Sequence, residues 1–588
     1  MKTFWYQVTL FIEPPLLSNR SGALPFGLDA AMFTDPWGQP ALPGSLVKGN
    51  LRENWAAMGF SSTDYWLGKE DKTGSNRGKI IFSPWWRLQG EAFHHNRNRV
   101  RHSNETHAAA DQMLQVARVL DSRDGADLQF QGLLAFLEKP APLILEAVTK
   151  GLRMTPALGS GKGIGMGKLN KVDIQETTPP GSLACNHSTL NAGFRQQVKN
   201  ARGLGIALQP LWPFCFPVDR AESSNALVSS ETIPGAAVKA VLARLLNISS
   251  CKQLFDAMRI SNALPARNNS LCRPLAPSFS LAIAHDHLYD LAACVDPGLI
   301  AGQAPAFQPD WKEKQNQQVR TKLGWPDIPR VLNLHNAHDS DKRAAKNSQL
   351  FSMESILPDE GLHWLCNINF PEHAGEKEID ALLDGLDAIV QEQNFMPLGK
   401  TSTPASLRLH PRPFDYSQPQ IPIEDQGQVF LYLQSPARLL NSSELNGIPS
   451  TGGAALLREK YAQAWEKLSG GSLKLSHYYA RQILKGGDFW WNKYHKSLPY
   501  QAQVFTDTGS LFVLEFVKGK EKEASQYLRE WQQLGLPQLD GYCREYDKNP
   551  WIRENGWGEI SLNIGIHQHW APGEDWEPIA TEGGVHHD

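Results

Sequence analysis

Apolar runs along the chain predict alternating strands and helices in a repeated order. Residues 4–13 (Phe4-Trp5-Tyr6-Gln7-Val8-Thr9-Leu10-Phe11-Ile12-Glu13) are rich in aromatic and β-branched side chains and predict a strand ended by Pro14-Pro15. A helix is predicted from Ser45 to about Met58. Two strands at 113–121 and 128–137 read as a hairpin across Asp124-Gly125. A helix over 143–154 and a strand over Lys168–Ile174 complete this unit. The order then returns: a strand near 204–218, a helix to about 247, paired strands at 350–356 and 363–370, and a helix over 377–392. The tail repeats it with strands at 429–433, 510–516 and 559–566 and helices at 454–467 and 520–534.

A β-α-β-like order in each unit predicts an α+β fold of tandem ferredoxin-like (RRM-like) sheets. The expected divisions are 1–178, a linker at 179–199, 200–410 with an insert at about 250–330, a Pro-rich linker at 411–427, 428–570, and a frayed tail at 571–588.

Two helix starts share one pattern, Leu42-Pro43-Gly44-Ser45-Leu46-Val47-Lys48-Gly49-Asn50-Leu51-Arg52 and Ile233-Pro234-Gly235-Ala236-Ala237-Val238-Lys239. Pro-Gly is turn chemistry, and Ser45 reads as the N-cap of the first helix, with Ala236 at the matching place in the second. Lys48 and Arg52 stand four apart on one helix face. A free helix N-terminus with a basic face attracts phosphate, so Gly44, Ser45, Lys48, Arg52 and Lys239 are candidate anion contacts. Arg97, Arg99 and Arg101 alternate and would share one face of an extended hairpin. His94, His95, His102 and His107 match no standard metal-ligand spacing and read as solvated loop histidines.

The stretch Gly159-Ser160-Gly161-Lys162-Gly163-Ile164-Gly165-Met166-Gly167-Lys168 places five glycines at alternate positions. No Gly-Lys is followed by Ser or Thr, and no G-x-G-x-x-G spacing occurs, which excludes both common phosphate fingerprints here. Gly161, Gly163, Gly165 and Gly167 would still let backbone approach a polyanion, with Lys162 and Lys168 beside them.

Charge and cysteine content narrow the picture. The net charge is −3, but residues 1–178 carry +3 and the remainder −6, so any polyanion contact belongs mainly to the first unit. The seven cysteines form no C-x-x-C pair, which argues against a zinc or disulfide framework and for a reducing compartment. No run approaches 18 apolar residues and no signal-peptide pattern opens the chain; a cytoplasmic protein without membrane partners is expected.

In order, Gly27-Leu28-Asp29, Asp35-Pro36-Trp37-Gly38, the Pro43-Gly44 helix start, the arginine hairpin and the glycine stretch make residues 1–178 resemble the Cas-seven backbone subunits of type III CRISPR effector complexes, in the RAMP superfamily. Residues 200 to about 566 resemble a second RAMP protein of the type III-D, Cas-five-like kind. That resemblance is carried by Ile233-Pro234-Gly235, Leu350-Phe351-Ser352-Met353-Glu354, Gly487-Asp488-Phe489-Trp490-Trp491 with Leu498-Pro499, Thr508-Gly509-Ser510-Leu511-Phe512 and Gly556-Trp557-Gly558. The resemblance implies palms with thumb hairpins and insertions, and partners comprising CRISPR RNA, target RNA and other Cas subunits. It implies RNA contact at the candidate residues of the helix starts, the arginine hairpin and the glycine stretch. It also implies a Mg²⁺ or other divalent metal at Asp29, which stands where RNA-cutting members carry their catalytic aspartate. A non-catalytic scaffold of the same kind of complex is the alternative. Asp219 lies in a comparable stretch of the second unit.

Overall fold

A computed structural model describes residues 2–19, 24, 27–69, 77–102, 109–179, 190–218, 225–268, 270–284, 287–290, 292, 319–339, 344–392, 396–418, 420, 427–441, 445, 453–486, 502–539 and 549–564. Asp219, the Gly487–Trp491 and Leu498-Pro499 motifs and the tail lie outside these residues.

The fold is mixed α+β, and one topology occurs three times. In the first palm the strands in chain order are Phe4–Ile12, Trp85–Gln89, Leu128–Phe136 and Leu169–Thr177, with helices Gly44–Ala57 and Pro142–Arg153 after the first and third. Their spatial order is two, three, one, four, all antiparallel. The second palm repeats this with Gly203–Pro210, Arg259–Ile260 continued by Leu264–Arg267, Leu362–Asn369 and Thr403–His410, and helices Gly235–Leu245 and Glu376–Gln391. The third unit uses Gln428–Leu433, Leu473–Tyr479, Leu511–Phe516 and Ile560–Leu562, with helices Gly453–Leu468 and Glu521–Leu534. This is the ferredoxin-like arrangement in each case.

Each unit is interrupted at the same point, between strands two and three, by a protruding hairpin. The first thumb pairs Phe93–His102 with Ala109–Asp121, and the second pairs Arg330–Asp339 with Ala344–Ile356. The third is a short pair, Gln482–Lys485 with Gln503–Thr506. The predicted hairpin across Asp124-Gly125 does not form. Both strands exist, but the first belongs to the thumb and Leu128–Phe136 to the palm. The same holds for Ala344–Ile356 and Leu362–Asn369, which join different sheets across Pro358–Gly361. Period-two patterning marks a strand without naming its partner, and here the chain changes sheet at a turn that looks like a hairpin loop.

Two further differences concern boundaries. Residues 259–267, within the expected insert, form strand two of the second palm. Part of the expected 179–199 linker is helix Ala192–Ala201, capped by Asn191, whose side chain accepts the Phe194 N–H at 2.8 Å. It is held to helix Glu376–Gln391 by Arg195–Asp384 at 2.7 Å and Lys199–Asp380 at 2.9 Å.

The cores follow the patterning. Val8, Leu10 and Ile12 pack under the first palm's helices with Leu51, Trp55, Val148 and Leu152. Trp5 sits on the other face of the same strand, with Ile81 and Ala135, and packs against Leu211 and Trp212 of the second palm. Trp5 is thus buried on the face opposite Val8, Leu10 and Ile12, which explains why apolar residues occur on both faces of this strand rather than in strict alternation.

The Pro-Gly pairs have a packing role. Pro43 and Pro234 occupy the N-cap positions, and Gly44 and Gly235 begin the helices. A Cβ on Gly44 would lie 2.0 Å from the Ser83 carbonyl oxygen, and one on Gly235 would lie 2.2 Å from that of Ile260. Gly44→Ala and Gly235→Ala are each expected to destabilise their palm by about 1–3 kcal/mol or more through overpacking, read as a lower urea midpoint.

Candidate nucleic-acid interface

The helix start is not a free N-terminus. Ser45 lies within the first turn, exposed, and makes no capping bond; Pro43 is the N-cap because Gly44 already has helical backbone. The Gly44 N–H donates to the Pro84 carbonyl at 2.8 Å, and the Gly235 N–H to Asn262 Oδ1 at 2.9 Å. The leading donor of each helix is thus satisfied internally.

The two basic residues of the first helix differ in circumstance. Arg52 donates to Asp64 Oδ1 at 3.2 Å and to the carbonyls of Leu67 and Gly68 at 3.0 and 2.5 Å, bracing helix Thr63–Leu67. Lys48 is half-buried; burial first, and the neighbouring Arg52 second, lower its pKa. It has no acidic partner among the described residues, so an incoming phosphate would relieve both effects.

Lys239 is turned inward. Its ammonium donates to the carbonyls of Asp256 and Met258 at 3.1 and 2.9 Å and lies 5.7 Å from the Phe255 ring centroid. Burial lowers its pKa to about 8. This position is a brace inside the second palm rather than an offered cation. Lys239→Met is expected to cost about 1–2 kcal/mol of stability through the two orphaned carbonyls and to leave RNA affinity unchanged, checked by urea unfolding beside a filter-binding assay.

The arginine strand is as expected. Arg97 and Arg99 are exposed on one face of Phe93–His102, opposite Ala117 and Gln115. Arg101 continues the strand. His94, His95 and His102 lie in this strand rather than a loop, with His95 Nδ1 3.6 Å from Asp121 Oδ2; His107 is outside the described residues.

Asp29 lies at the base of the thumb. It precedes the two-residue strand Ala30–Ala31, which pairs in parallel with Ala117-Arg118. The Asp29 N–H donates to the Val116 carbonyl at 2.8 Å, and Val116 N–H donates back to Asp29 Oδ2 at 2.7 Å. One carboxylate oxygen is anchored, while Oδ1 has no partner among the described residues and the residue is exposed. Val116 was not legible as its partner.

The glycine stretch folds as a compact turn around a 3-10 segment, Lys162–Ile164. Ser160 N–H donates to the Leu17 carbonyl at 2.6 Å and Gly167 N–H to that of Pro15 at 3.0 Å. Gly159 (φ 84°) and Gly167 (φ 68°) are required by left-handed backbone and by contact: a Cβ would approach the Leu17 and Leu158 carbonyls to 2.3 and 2.2 Å. Gly163 and Gly165 face open space and Lys162 is exposed beside them; Gly161 packs on Met166. Lys168 pairs with Glu13 at 2.9 Å, an exposed contact that raises the lysine pKa and lowers the glutamate's. One apolar cluster joins these pieces: Leu17, Ala30, Ala117, Val119 and Met166 bring together the Asp29 strand, the thumb base and the glycine turn.

The second palm reproduces this framework with different chemistry. Strand Ala226–Val228 pairs in parallel with the thumb strand, and Ser352 N–H donates to the Asn225 carbonyl at 3.0 Å. Bridges Asn19–Met32 and Pro217–Ser229 set the two frameworks in register, so Ala226 stands where Asp29 does, an alanine in place of the acid. The shorter turn at Gly399-Lys400 docks as the glycine stretch does, with Lys400 N–H donating to the Cys215 carbonyl at 2.8 Å. The third unit's Gly556 is a junction residue, since a Cβ there would lie 2.9 Å from the Ile260 carbonyl of the second palm.

No family model matches the chain. No curated protein matches it either. Among solved structures, it is similar to a chain of the Type III-B Cmr-beta complex bound to cognate target RNA, at 14% identity and TM-score 0.25, covering 30% of this chain and 61% of that one. The chain thus spans less than two thirds of that neighbour. A second, from Type III-B Cmr-beta bound to cognate target RNA and AMPPnP, state 1, has 15% identity and TM-score 0.28 over 53% of this chain and 86% of that one. Likenesses this weak carry no argument about chemistry; the topology and the residues of the chain itself do. Among the described residues no helix is long and apolar enough to cross a membrane.

Proposed function

We propose that this protein is an RNA-binding subunit of a type III CRISPR ribonucleoprotein, which holds CRISPR RNA on its first palm and cuts complementary target RNA at Asp29. The observation that carries this reading is the placement of Asp29 at the thumb base, next to Ala30 of the apolar cluster that also holds Met166 of the glycine turn. Lys48, Lys162, Arg97 and Arg99 supply phosphate contacts around it.

Among the described residues no three His, Cys, Asp or Glu side chains gather into a metal cage. Asp29 fits a metal shared with RNA: Val116 fixes the carboxylate and one oxygen is left outward. Mg²⁺ held through one carboxylate, waters and a phosphate would stabilise charge developing on the cleaved phosphodiester. The chain's own part is to fix that oxygen at the thumb base.

The test is isolation of the full chain with its partner subunits, sequencing of co-purifying small RNA, and a cleavage assay with and without EDTA. Absence of small RNA would overturn the binding reading. Small RNA without cutting would leave the scaffold role, and cutting that persists in EDTA would remove the metal-dependent mechanism.

A further inference from the structure

Between the first two palms lies a cleft of about 800 Å³ on the sheet face opposite the helices of the first palm. One wall carries an exposed aromatic group that has no part in the proposed phosphate contacts or in cutting. Trp37 is 57% exposed, on the loop between Asp35 and Gln39. It stands edge-on to Trp85, with centroids 5.5 Å apart at 82°, and the Arg87 guanidinium covers it at 4.7 Å.

The loop is rigidly built. The Asp35 carboxylate is fully buried and accepts the N–H groups of Trp37 and Gln39 at 3.0 and 2.9 Å and Arg87 Nε at 2.7 Å. Exposing a large indole on so firmly held a turn gains nothing for folding, which otherwise buries such surface. The other wall comes from the second palm, with Trp212, Gln209 and Glu360.

The lining selects among ligands. Asp35 is matched by Arg87, and Asp359 by Arg267 at 2.7 Å, which leaves Glu360 as the unmatched lining charge among the described residues. Phosphate is not drawn into such a cleft; a neutral aromatic group is. The side-chain amides of Gln7, Gln39 and Gln131 line it without a hydrogen-bond partner among the described residues. Each offers a donor and an acceptor, as the edge of a nucleobase requires.

We infer that this cleft binds unpaired bases of single-stranded RNA, stacked on Trp37 and Trp85 and contacted at their edges by the glutamines, while the backbone runs outside. This rests on the RNA-binding reading and adds a base-binding subsite to it.

The experiment measures binding of the full chain to fluorescein-labelled octauridylate, octaadenylate and a base-free ribose-phosphate octamer by anisotropy. Trp37→Ala is expected to weaken the base-bearing octamers about five- to 150-fold, as loss of base stacking does. Trp37→Phe should stay within about threefold, and the base-free octamer should ignore both changes. Photo-cross-linking of 5-iodouridine octamer should map to residues 35–39 or 85–89. Wild-type affinity in Trp37→Ala, equal binding of the base-free octamer, or cross-links only elsewhere would overturn the inference. So would a change around Trp37 produced only by a protein partner. If those results come while Lys162→Glu still weakens RNA binding, the RNA-binding reading stands alone; if the wild-type chain binds none of the octamers, both fall.

Discussion

Asp29→Ala is expected to abolish metal-dependent cutting of target RNA by the assembled complex while guide RNA is retained. A metal held partly by this carboxylate contributes several kcal/mol to the barrier, and each 1.36 kcal/mol is tenfold in rate. A loss of roughly 100-fold or more in single-turnover rate follows. Asp29→Asn should behave as Asp29→Ala does, because the amide retains an acceptor for Val116 N–H but not the charge that holds a metal. Asn225 is the internal control. It immediately precedes Ala226, the residue at the matching place in the second palm, and is the polar side chain beside that place, yet carries no charge. Asn225→Ala is therefore expected to leave every product and its rate unchanged. Equal cutting by wild type and Asp29→Ala, in complexes loaded with the same guide, would leave the chain as a scaffold. The readout separates these cases because guide retention and product formation are measured on one preparation.

The residues themselves show what a sequence can and cannot express. Phe4–Ile12 and Glu376–Gln391 were legible because their apolar spacing has one consistent geometry. The partner of a strand is not written in its own spacing, so Ala109–Asp121 and Leu128–Phe136 read as one hairpin while belonging to two sheets. Helix Ala192–Ala201 escaped because Val198 is its one fully buried side chain and its remaining support comes from ion pairs to another helix. Pro43-Gly44 and Pro234-Gly235 were visible as turns, but the demand on the glycines comes from Ser83 and Ile260, far away in sequence. The candidate site divides the same way. Asp29 and the thumb arginines follow from motif order, whereas Val116 as the partner of Asp29, and Ala226 as its counterpart, emerge only when parallel pairing sets the strands in register. Lys239 repeats Lys48 in sequence but not in surroundings, because Asp256 and Met258 place two carbonyls within its reach.

Glu559→Gln should be the most destabilising single change at the junction of the second palm and the third unit. Glu559 is almost completely buried and meets Arg273 at 2.5 Å, Tyr416 Oη at 2.7 Å and Arg259 at 3.4 Å. Arg259 lies in strand two of the second palm, whereas Glu559 leads into the last strand of the third unit, so the charges fasten two folded bodies. The amide keeps the shape and removes the charge, which leaves two buried guanidiniums unmatched at a cost of about 3–5 kcal/mol. Burial alone would raise the Glu559 pKa, but Arg273 and then Arg259 outweigh it and hold the carboxyl at about 2, below the ordinary 4.5. A carboxyl depressed in the folded state is stabilising above its unfolded value. That stability, about 3 kcal/mol for this shift, is fully present above pH 4.5 and is lost as pH falls towards 2. Urea midpoints measured across that range should fall steeply in wild type and less steeply in Glu559→Gln. Combining Arg273→Met with Glu559→Gln should cost less than the two single changes added together, because the pair then leaves one buried cation fewer without a counter-charge. Additive losses would mean that packing, not charge, joins the second palm to the third unit.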